Sequence, residues 1–450
     1  MKINSLGHQS WLLTSGNTSI LIDPVLFGRF GASELMHAVI DGPHIWQRLN
    51  RSVTAVFLTC HHADHFDLPS LLHLSRNKTP PIVYLHSWSP AVLRKLIEST
   101  GLKTKIADIG EVVKIEDFNF NFLRRYNGDY QWERASASLC VEHEQGNVFF
   151  QAEGGKSTII DVPYKLSAAV VTNNSQLRNN RRIGFFSDIR KRIDPRSAIS
   201  SYYSSIMELN NLAEPVPSII FTGTDFSFHL QEQKTPIEFD PVHSVDSREA
   251  LRALSNGVNV HLARAGESWE MSGGQVKSIV QIETLTQELS EPMTRTKKSG
   301  RDFNIQTALQ NLQIPLLLSP LGRMLVNCHR FNGNPLGPHR LLLRTTEPGS
   351  TKNFAFNINT CRFEAVADNT DDRQFPFFFQ IPEKYFSALL NDEIGIWEVA
   401  HHPEVLQAYV GKQTDSPLSF FAAYLCPTSN PGHFEQLHIA QLTRIAASNF

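Results

Sequence analysis

The segment from Cys60 to His65 places three histidines, a cysteine and an aspartate within six residues, directly after the apolar run 53–58. The composition of this run predicts a buried strand. A strand that ends in such a cluster brings several side chains to one edge of a sheet. Imidazole, thiolate and carboxylate groups are the ligands that zinc and iron prefer. A histidine-rich surface turn is the alternative interpretation. The metal interpretation is favoured because two further motifs near the N-terminus occur where a metal-binding fold needs them.

The composition restricts the class of protein. A chain of 450 residues with 41% hydrophobic residues predicts a large core and two or three domains. The net charge of −2 argues against a nucleic-acid partner. No apolar run reaches the roughly 18 residues that a membrane span requires, and the N-terminus lacks a signal-peptide core. The five dispersed cysteines argue against a disulfide framework, so we expect a cytoplasmic protein.

Strands and helices alternate along the first 100 residues. Short β-prone runs at 10–13 and 19–22 predict a hairpin, and residues 32–50 are expected to be helical or irregular. A helix is predicted from residue 68, a strand at 81–85 and a second helix at 90–99. This order indicates layered α/β structure.

Successive strands follow between residues 106 and 151. Phe118, Phe120 and Phe122 alternate with asparagines, which is the period of a half-buried strand. Further core strands are predicted at 168–171 and 218–221, whereas the polar stretch 173–193 predicts an exposed loop.

The polar and charged stretch 283–302 predicts a domain boundary. We therefore expect one domain over residues 1–285 and a second over residues 303–450. Strands are predicted in the second unit at 354–358 and in the aromatic stretch 375–379, which is interpreted as a buried strand in preference to a ligand groove.

Three motifs occur in a fixed order in the N-terminal region. They are Leu6-Gly7-His8-Gln9-Ser10, Leu21-Ile22-Asp23-Pro24, and the metal-type cluster after Phe57-Leu58-Thr59. Together they resemble the metallo-β-lactamase superfamily, specifically its lactonase-like and lipase-like branches, whose motifs read L-G-H-x-S, I-D-P and T-H-x-H-x-D-H. The resemblance covers roughly residues 1–280. It implies an αββα sandwich with a metal site at one edge, followed in this chain by a smaller α+β domain.

The resemblance also implies a set of metal ligands. Laid on the family motif, the cluster supplies four candidates: Cys60, His62, Asp64 and His65. Cys60 takes the position of the first histidine, and His61 takes a variable position whose side chain points elsewhere in the family. The histidine that the family has near residues 126–127 is absent here. The remaining ligands are expected after the strands at 148–150 and 218–221, where Glu153 and Asp225 are the carboxylates available.

The function that the resemblance implies is metal-dependent hydrolysis of a small ester, lactone or phosphodiester. One or two zinc ions are expected, with iron or manganese as alternatives, and a mononuclear site centred on Asp64 and His65 is favoured. Asp64 is the predicted catalytic residue, because it would hold the metal or orient the attacking water. Two other functions remain open, a binding or scaffold protein that has lost the chemistry and an iron-dependent oxidative enzyme.

Overall fold

A computed structural model of the protein describes residues 1–26, 36–38, 52–124, 136–152, 162, 165–172, 181–182, 214–222, 226–228, 237–238, 258–263, 265–280, 307, 309, 320–331, 333–396, 406–409 and 430–447. The predicted boundary between residues 285 and 303 lies outside these ranges, so the division into two domains stays a prediction. No described helix is long and apolar enough to cross a membrane.

Nineteen described strands precede residue 281. In chain order they are β1 (Lys2–Gly7), β2 (Ser10–Ser15), β3 (Thr18–Ile22), β4 (Met36–Ala38), β5 (Ala55–Leu58), β6 (Ile82–His86), β7 (Lys103–Ala107), β8 (Val112–Ile115), β9 (Phe118–Arg124), β10 (Ala137–Glu142), β11 (Val148–Phe150), β12 (Ala168–Thr172), β13 (Arg181–Arg182), β14 (Ser218–Thr222), β15 (Phe226–Phe228), β16 (Ile237–Glu238), β17 (Asn259–Leu262), β18 (Ser268–Ser272) and β19 (Gln275–Val280).

Seven described strands follow: β20 (Arg330–Phe331), β21 (Asn334–Pro335), β22 (His339–Glu347), β23 (Ser350–Asn357), β24 (Arg362–Val366), β25 (Phe377–Pro382) and β26 (Leu406–Tyr409). The described α-helices are α1 (Leu68–Ser75), α2 (Ala91–Ser99), α3 (Pro320–Asn327), α4 (Glu383–Leu390) and α5 (Pro431–Ala447), and a 3₁₀ turn covers Asp372–Gln374.

The first large sheet has eight strands in the order β19-β18-β1-β2-β3-β5-β6-β7. Strands β1, β2 and β3 are antiparallel neighbours, whereas β3, β5, β6 and β7 run parallel, with α1 and α2 in two of the crossovers. Strand β5 is buried on both faces, which explains its continuous apolar sequence. Parallel strands end at one common edge of a sheet, so the segments that follow β3, β5 and β6 meet there.

The second large sheet has seven strands in the order β17-β14-β12-β11-β10-β9-β8. The two sheets pack face to face around one aromatic core, in which the rings of Phe57 and Phe120 stack with centroids 4.1 Å apart. Phe118, Phe120 and Phe122 all face this core, as their alternation predicts. A separate apolar cluster lies on the outer side of the first sheet, beneath α1 and α2. The predicted layered α/β arrangement is confirmed.

A further sheet has six strands in the order β13-β26-β25-β22-β23-β24, of which all but β13 belong to the C-terminal region. Phe377, Phe378 and Phe379 are at most 2% exposed in β25, which confirms the interpretation of the aromatic stretch as a buried strand. Strand β23 covers most of the stretch predicted at 354–358, and helix α4 follows β25 directly.

Two local expectations are wrong in part. Residues 36–38 form strand β4 within the stretch expected to be helical or irregular, and residues 181–182 form strand β13 within the expected loop. The rest of the stretch 173–193 and most of 32–50 lie outside the described residues. Strand β4 pairs with β15 and β13 pairs with β26, so both strands depend on partners far away in the sequence. Local composition carries no signal for such pairing.

Candidate metal centre

The histidine-rich cluster lies at the carboxyl end of β5, in the loop 59–67. The N–H groups of His65 and Phe66 both donate to the carbonyl oxygen of His62, at 2.9 and 2.8 Å, so the loop turns sharply after it leaves the strand. Asp67 then begins α1 as its N-cap. The loop is therefore held between a buried strand and a capped helix.

Cys60, His61 and His62 form the candidate metal-binding group. One donor atom from each residue lies within 4.8 Å of the other two, and all three residues are buried. The rings of His61 and His62 meet edge to face, with centroids 4.6 Å apart. The expectation that the His61 side chain points elsewhere is wrong. Residues 60–62 lie beyond the end of β5 at Leu58, so the alternation of side chains that a strand imposes does not apply to them.

Asp23 orients the side chain of His65. Its Oδ2 atom lies 2.8 Å from Nδ1 of His65, and Oδ1 accepts a hydrogen bond of 2.7 Å from the N–H of Thr59. A carboxylate at this position accepts from an N–H, so we assign the imidazole proton to Nδ1. The lone pair of the ring is then on Nε2, which lies 3.7 Å from Oδ2 of Asp64. Metal-binding histidines have this arrangement in proteins.

His8 and His65 approach the carboxylate of Asp64. Nε2 of His8 lies 3.1 Å from Oδ2 of Asp64. Burial raises the pKa of Asp64, but the charge of His65, the hydrogen bond and charge of His8, and the charge of His62 lower it more. The pKa therefore lies well below its ordinary value, and Asp64 is an anion. His8 thus lines the site, as its place in the L-G-H-x-S motif suggests.

The backbones of His8 and Asp23 have a positive φ of 46° each. This conformation is uncommon outside glycine, although histidine and aspartate adopt it more often than most residues. Both residues lie in turns that lead into the site, where strained conformations tend to occur. Burial raises the pKa of Asp23, and the charge of His65 together with the bonds from His65 and Thr59 opposes this only in part.

The carboxylates of Glu153 and Asp225, predicted as further ligands, lie outside the described residues. The strands that lead to them do end near the site. Strand β14 ends at Thr222, whose hydroxyl donates to the carbonyl oxygen of His8. Strand β11 is joined to β14 through β12 in parallel pairing, so its carboxyl end faces the same edge. Residues 126–127, where the family has a histidine, are also outside the described part. The assignments of Glu153 and Asp225 stay predictions.

Sequence reasoning did not assign three residues at this edge to the site: Asp23, His61 and His86. Asp23 stands in the I-D-P motif, which was a usable signal. His86 ends β6, the neighbour of β5, and is 1% exposed with its ring 5.5 Å from that of Phe122. Its only sequence signal is its position at the end of an apolar run, which many structural histidines share.

A family model described as beta-lactamase superfamily domain matches residues 2–163. The match spans His8, Asp23 and the whole cluster at the end of β5. The N-terminal part of this chain is a beta-lactamase superfamily domain. The family resemblance stated from the three motifs is therefore confirmed. The predicted αββα sandwich is confirmed with it, followed by a further β-rich C-terminal region.

Several solved structures are similar to part of this chain. The metallo-beta-lactamase fold protein YhfI from Bacillus subtilis is 16% identical over 60% of this chain and 99% of its own, with a TM-score of 0.37. Isothiocyanate hydrolase from Delia radicum gut bacteria is 15% identical over 60% and 100%, with a TM-score of 0.41. CmlA, a diiron beta-hydroxylase from Streptomyces venezuelae, is 14% identical over 62% and 54%, with a TM-score of 0.37. No curated protein matches the chain.

Proposed function

We propose that this protein is a metal-dependent hydrolase that acts on a small ester, lactone or phosphodiester. The observation that carries the proposal is the convergence of donor atoms from Cys60, His61 and His62 within 4.8 Å, at the sheet edge that also holds Asp64 and His65. The match to the beta-lactamase superfamily supports the reaction class. A fold hosts many reactions, so the side chains of the site carry the argument for hydrolysis.

The donor set fits a divalent transition metal. A thiolate and two imidazoles are ligands of zinc, and the anionic Asp64 beside them adds the negative charge that favours a cation. We expect one or two zinc ions, with iron and manganese as the alternatives to be tested. When bound, such an ion would act as a Lewis acid and would lower the pKa of a coordinated water molecule toward neutral.

The residues of the site divide into binding and orienting groups. Cys60, His61 and His62 would bind the metal, with His65 presenting Nε2 because Asp23 holds the opposite nitrogen. The carboxylate of Asp64 would bind the metal or accept a hydrogen bond from the attacking water. Glu153 and Asp225 would complete the ligand set, since the strands that precede them in the sequence, β11 and β14, end at the same edge of the sheet. A small-molecule substrate and a cytoplasmic location are part of the proposal.

The first test is the metal content and the activity of the full-length protein purified without added metal. Zinc near one or two equivalents, together with turnover of a member of a panel of lactones, thioesters and phosphodiesters, is the expected result. Iron in place of zinc, together with absence of turnover across the panel, would overturn the hydrolase in favour of an oxidative enzyme. Absence of metal, or absence of turnover by the metal-loaded protein across the panel, would favour a binding or scaffold protein.

The second test replaces Asp64 with asparagine, which keeps the size of the side chain and removes its charge. We expect the turnover number to fall by at least about 100-fold, while the free energy of unfolding of the metal-free protein changes by less than about 1 kcal/mol. The matched control is Asp117→Asn, since Asp117 also pairs with a histidine, His143, but outside the site. Equal activity of the two variants would remove Asp64 from the catalytic role.

A further inference from the structure

The last described helix, α5, packs against the domain that holds the candidate metal centre. Phe434 of α5 belongs to the apolar cluster that lies beneath α1 and α2, and Leu442 packs against the same cluster. On the outer side, Lys95 of α2 and Glu435 of α5 form an ion pair of 2.7 Å. Helix α5 begins 268 residues after the end of the region that the family model matches, which is residue 163. Its contacts with the domain are therefore a feature of this chain that the family match does not cover.

Aromatic side chains of α5 reach the metal-binding loop itself. The ring of Phe434 lies edge to face with the imidazole of His61, with centroids 6.1 Å apart. Phe434 also stacks on Phe66, and the ring of His438 meets Phe66 edge to face at 4.8 Å. Phe66 lies in the loop directly after His65 and is fully buried. The helix thus contacts the loop both at a metal-binding imidazole and at the turn beyond it.

A buried chain of hydrogen bonds joins α5 to the end of the same loop. Nδ1 of His438 lies 3.2 Å from Oε1 of Gln441, and Nε2 of Gln441 donates to Oδ1 of Asp67 at 3.0 Å. The amide of Gln441 has one acceptor and donors on its nitrogen, so this arrangement fixes its orientation and assigns the proton of His438 to Nδ1. Asp67 caps α1, so the chain connects the helix to the point where the loop ends.

The first turn of α5 is also anchored in the C-terminal region. The imidazole of His433 pairs with the carboxylate of Asp392, two residues after α4, and the backbone N–H of His433 donates to Oδ1 of Asn430 at 3.2 Å. The side chain of His433 is 5% exposed, so the pair is largely buried on the histidine side. One helix therefore contacts both the C-terminal region and the loop of the candidate metal centre.

We infer that α5 is a positioning element of the metal centre, with Phe434 holding the imidazole of His61 toward Cys60 and His62 and Gln441 fixing the end of the loop. This inference rests on the proposed function only in requiring that the site bind a metal. The packing limits the positions that His61 can take, and a ligand whose orientation is fixed in advance binds its metal more tightly. Through α5, the C-terminal region therefore contributes to the geometry of the metal-binding site.

The test compares two changes on α5 in the full-length protein. Phe434→Leu keeps an apolar side chain of similar size but removes the ring that meets His61, whereas Glu435→Gln removes only the surface pair with Lys95. Zinc affinity is measured by calorimetry against a competing chelator, and the thiolate-to-cobalt absorption band is recorded on the cobalt-substituted protein. We expect Phe434→Leu to weaken zinc binding by about 10-fold and to alter the cobalt band. We expect Glu435→Gln to match the wild type within about two-fold.

Two further measurements extend the test to the other end of the loop and to the metal-free protein. Gln441→Leu removes the bond to Asp67 at the other end of the loop and is expected to weaken zinc binding in the same direction. In the metal-free protein, alkylation of Cys60, followed by peptide mass analysis, should be faster in both variants than in the wild type, because Cys60 is 1% exposed only while the loop is held.

The possible outcomes are distinct for the two proposals. Zinc affinity and cobalt band equal to the wild type in Phe434→Leu and Gln441→Leu would overturn the inference, even if the melting temperature falls, and would leave the hydrolase proposal intact. Absence of metal binding by the wild type would overturn the hydrolase proposal and the inference together. Weakened binding in the two variants with an unchanged Glu435→Gln supports the positioning role.

Discussion

Strand β2 has a histidine–aspartate pair near each of its ends, and the two pairs differ in burial. At the end beside the candidate metal centre, Asp23 and His65 are 4% and 0% exposed and lie 2.8 Å apart. At the other end, Asp117 and His143 lie 2.9 Å apart, but the carboxylate is 41% exposed. The chemistry of the two pairs is the same, and the distances are nearly equal.

Burial gives the two pairs different roles. Burial raises the pKa of Asp23, whereas the small burial of Asp117 is outweighed by its hydrogen bonds from Ser15 and His143, which lower the pKa of Asp117. A buried carboxylate depends on each of its partners, and Asp23 has a further partner in Thr59. An exposed carboxylate can exchange a lost partner for water. The comparison teaches that a short histidine–carboxylate distance alone does not mark a functional site.

The largest expected effect is on stability. Asp23→Ala removes the acceptor of the buried His65 Nδ1 and of the Thr59 N–H, and it places alanine at a positive φ. We expect the free energy of unfolding to fall by about 3–5 kcal/mol. Asp117→Ala should lower the free energy of unfolding by less than about 1 kcal/mol, because the carboxylate of Asp117 is 41% exposed. Denaturant unfolding of both metal-free variants measures this, and equal losses would show that burial does not distinguish the pairs.

A buried histidine without a carboxylate partner extends the comparison to pH. Burial lowers the pKa of His438 to about 4, although the bond to Gln441 opposes this, and the charge of His433 lowers it further. Between pH 6.5 and 4 the unfolded chain therefore binds a proton that the native protein does not. Stability from this group is complete above pH 6.5 and is lost as the pH falls toward 4, by about 3 kcal/mol in all.

Asp67, which faces His438 across Gln441, contributes the opposite slope. Burial raises the pKa of Asp67 to about 7, so the native protein binds the extra proton there and gains stability as the pH falls from 7. The measurement is therefore the difference in unfolding free energy between the wild type and His438→Leu across pH 4–8. A difference that does not vary with pH would contradict the assignment of His438 as a buried neutral imidazole.

Asp23→Asn is expected to affect metal binding more than folding. Asparagine tolerates the positive φ of this position and can still accept from the N–H of Thr59 with its carbonyl oxygen. Its NH₂ group would then face Nδ1 of His65, which moves the imidazole proton to Nε2 and removes the lone pair on the side of Asp64. We expect zinc affinity to fall by about 10–100-fold.

Nitrogen chemical shifts of the His65 ring report the tautomer directly in the Asp23→Asn variant. The matched control is Asp117→Asn, which makes the same chemical change beside His143 and should leave zinc affinity unchanged. An unchanged tautomer of His65, with wild-type affinity, would show that Asp23 does not set the metal-facing nitrogen.

The smallest expected effect belongs to the exposed pair in the C-terminal sheet. His339 and Glu364 lie 2.7 Å apart, and their side chains are 35% and 43% exposed. Glu364→Gln should change the free energy of unfolding by less than about 0.5 kcal/mol and leave zinc binding unchanged. Thermal unfolding with and without zinc measures both, and a loss above about 1 kcal/mol would show that exposure does not set the contribution of these pairs.

Much of the N-terminal domain was predictable because its signals are local. Strand β5 has an unbroken apolar sequence, α1 begins at a capping aspartate followed by Leu68 and Pro69, and β9 alternates phenylalanine with asparagine. Strands β4 and β13 were missed because they are three and two residues long and exist only through pairing with remote partners.

The candidate site was predictable only in part. Cys60, His62, Asp64 and His65 were predicted as ligands because the family motif can be laid on the short segment that follows a strand, and their roles as ligands stay predictions. The side chain of His61 was expected to point elsewhere, but His61 lies beyond the end of β5, where a strand pattern does not fix side-chain directions. The predicted ligands Glu153 and Asp225 lie outside the described residues and remain predictions.

The sequence by itself determined the family, the strand that delivers the cluster, and the kinds of donor atoms at its end. These follow from residue type and spacing over a few residues, where the backbone geometry of a strand or a turn is almost fixed. The tertiary structure alone decided which groups orient those donors. His8 reaches Asp64 across 56 positions, Asp23 reaches His65 across 42, and Gln441 reaches Asp67 across 374. Such contacts are set by strand pairing and helix packing, in which burial of distant surfaces outweighs any local preference.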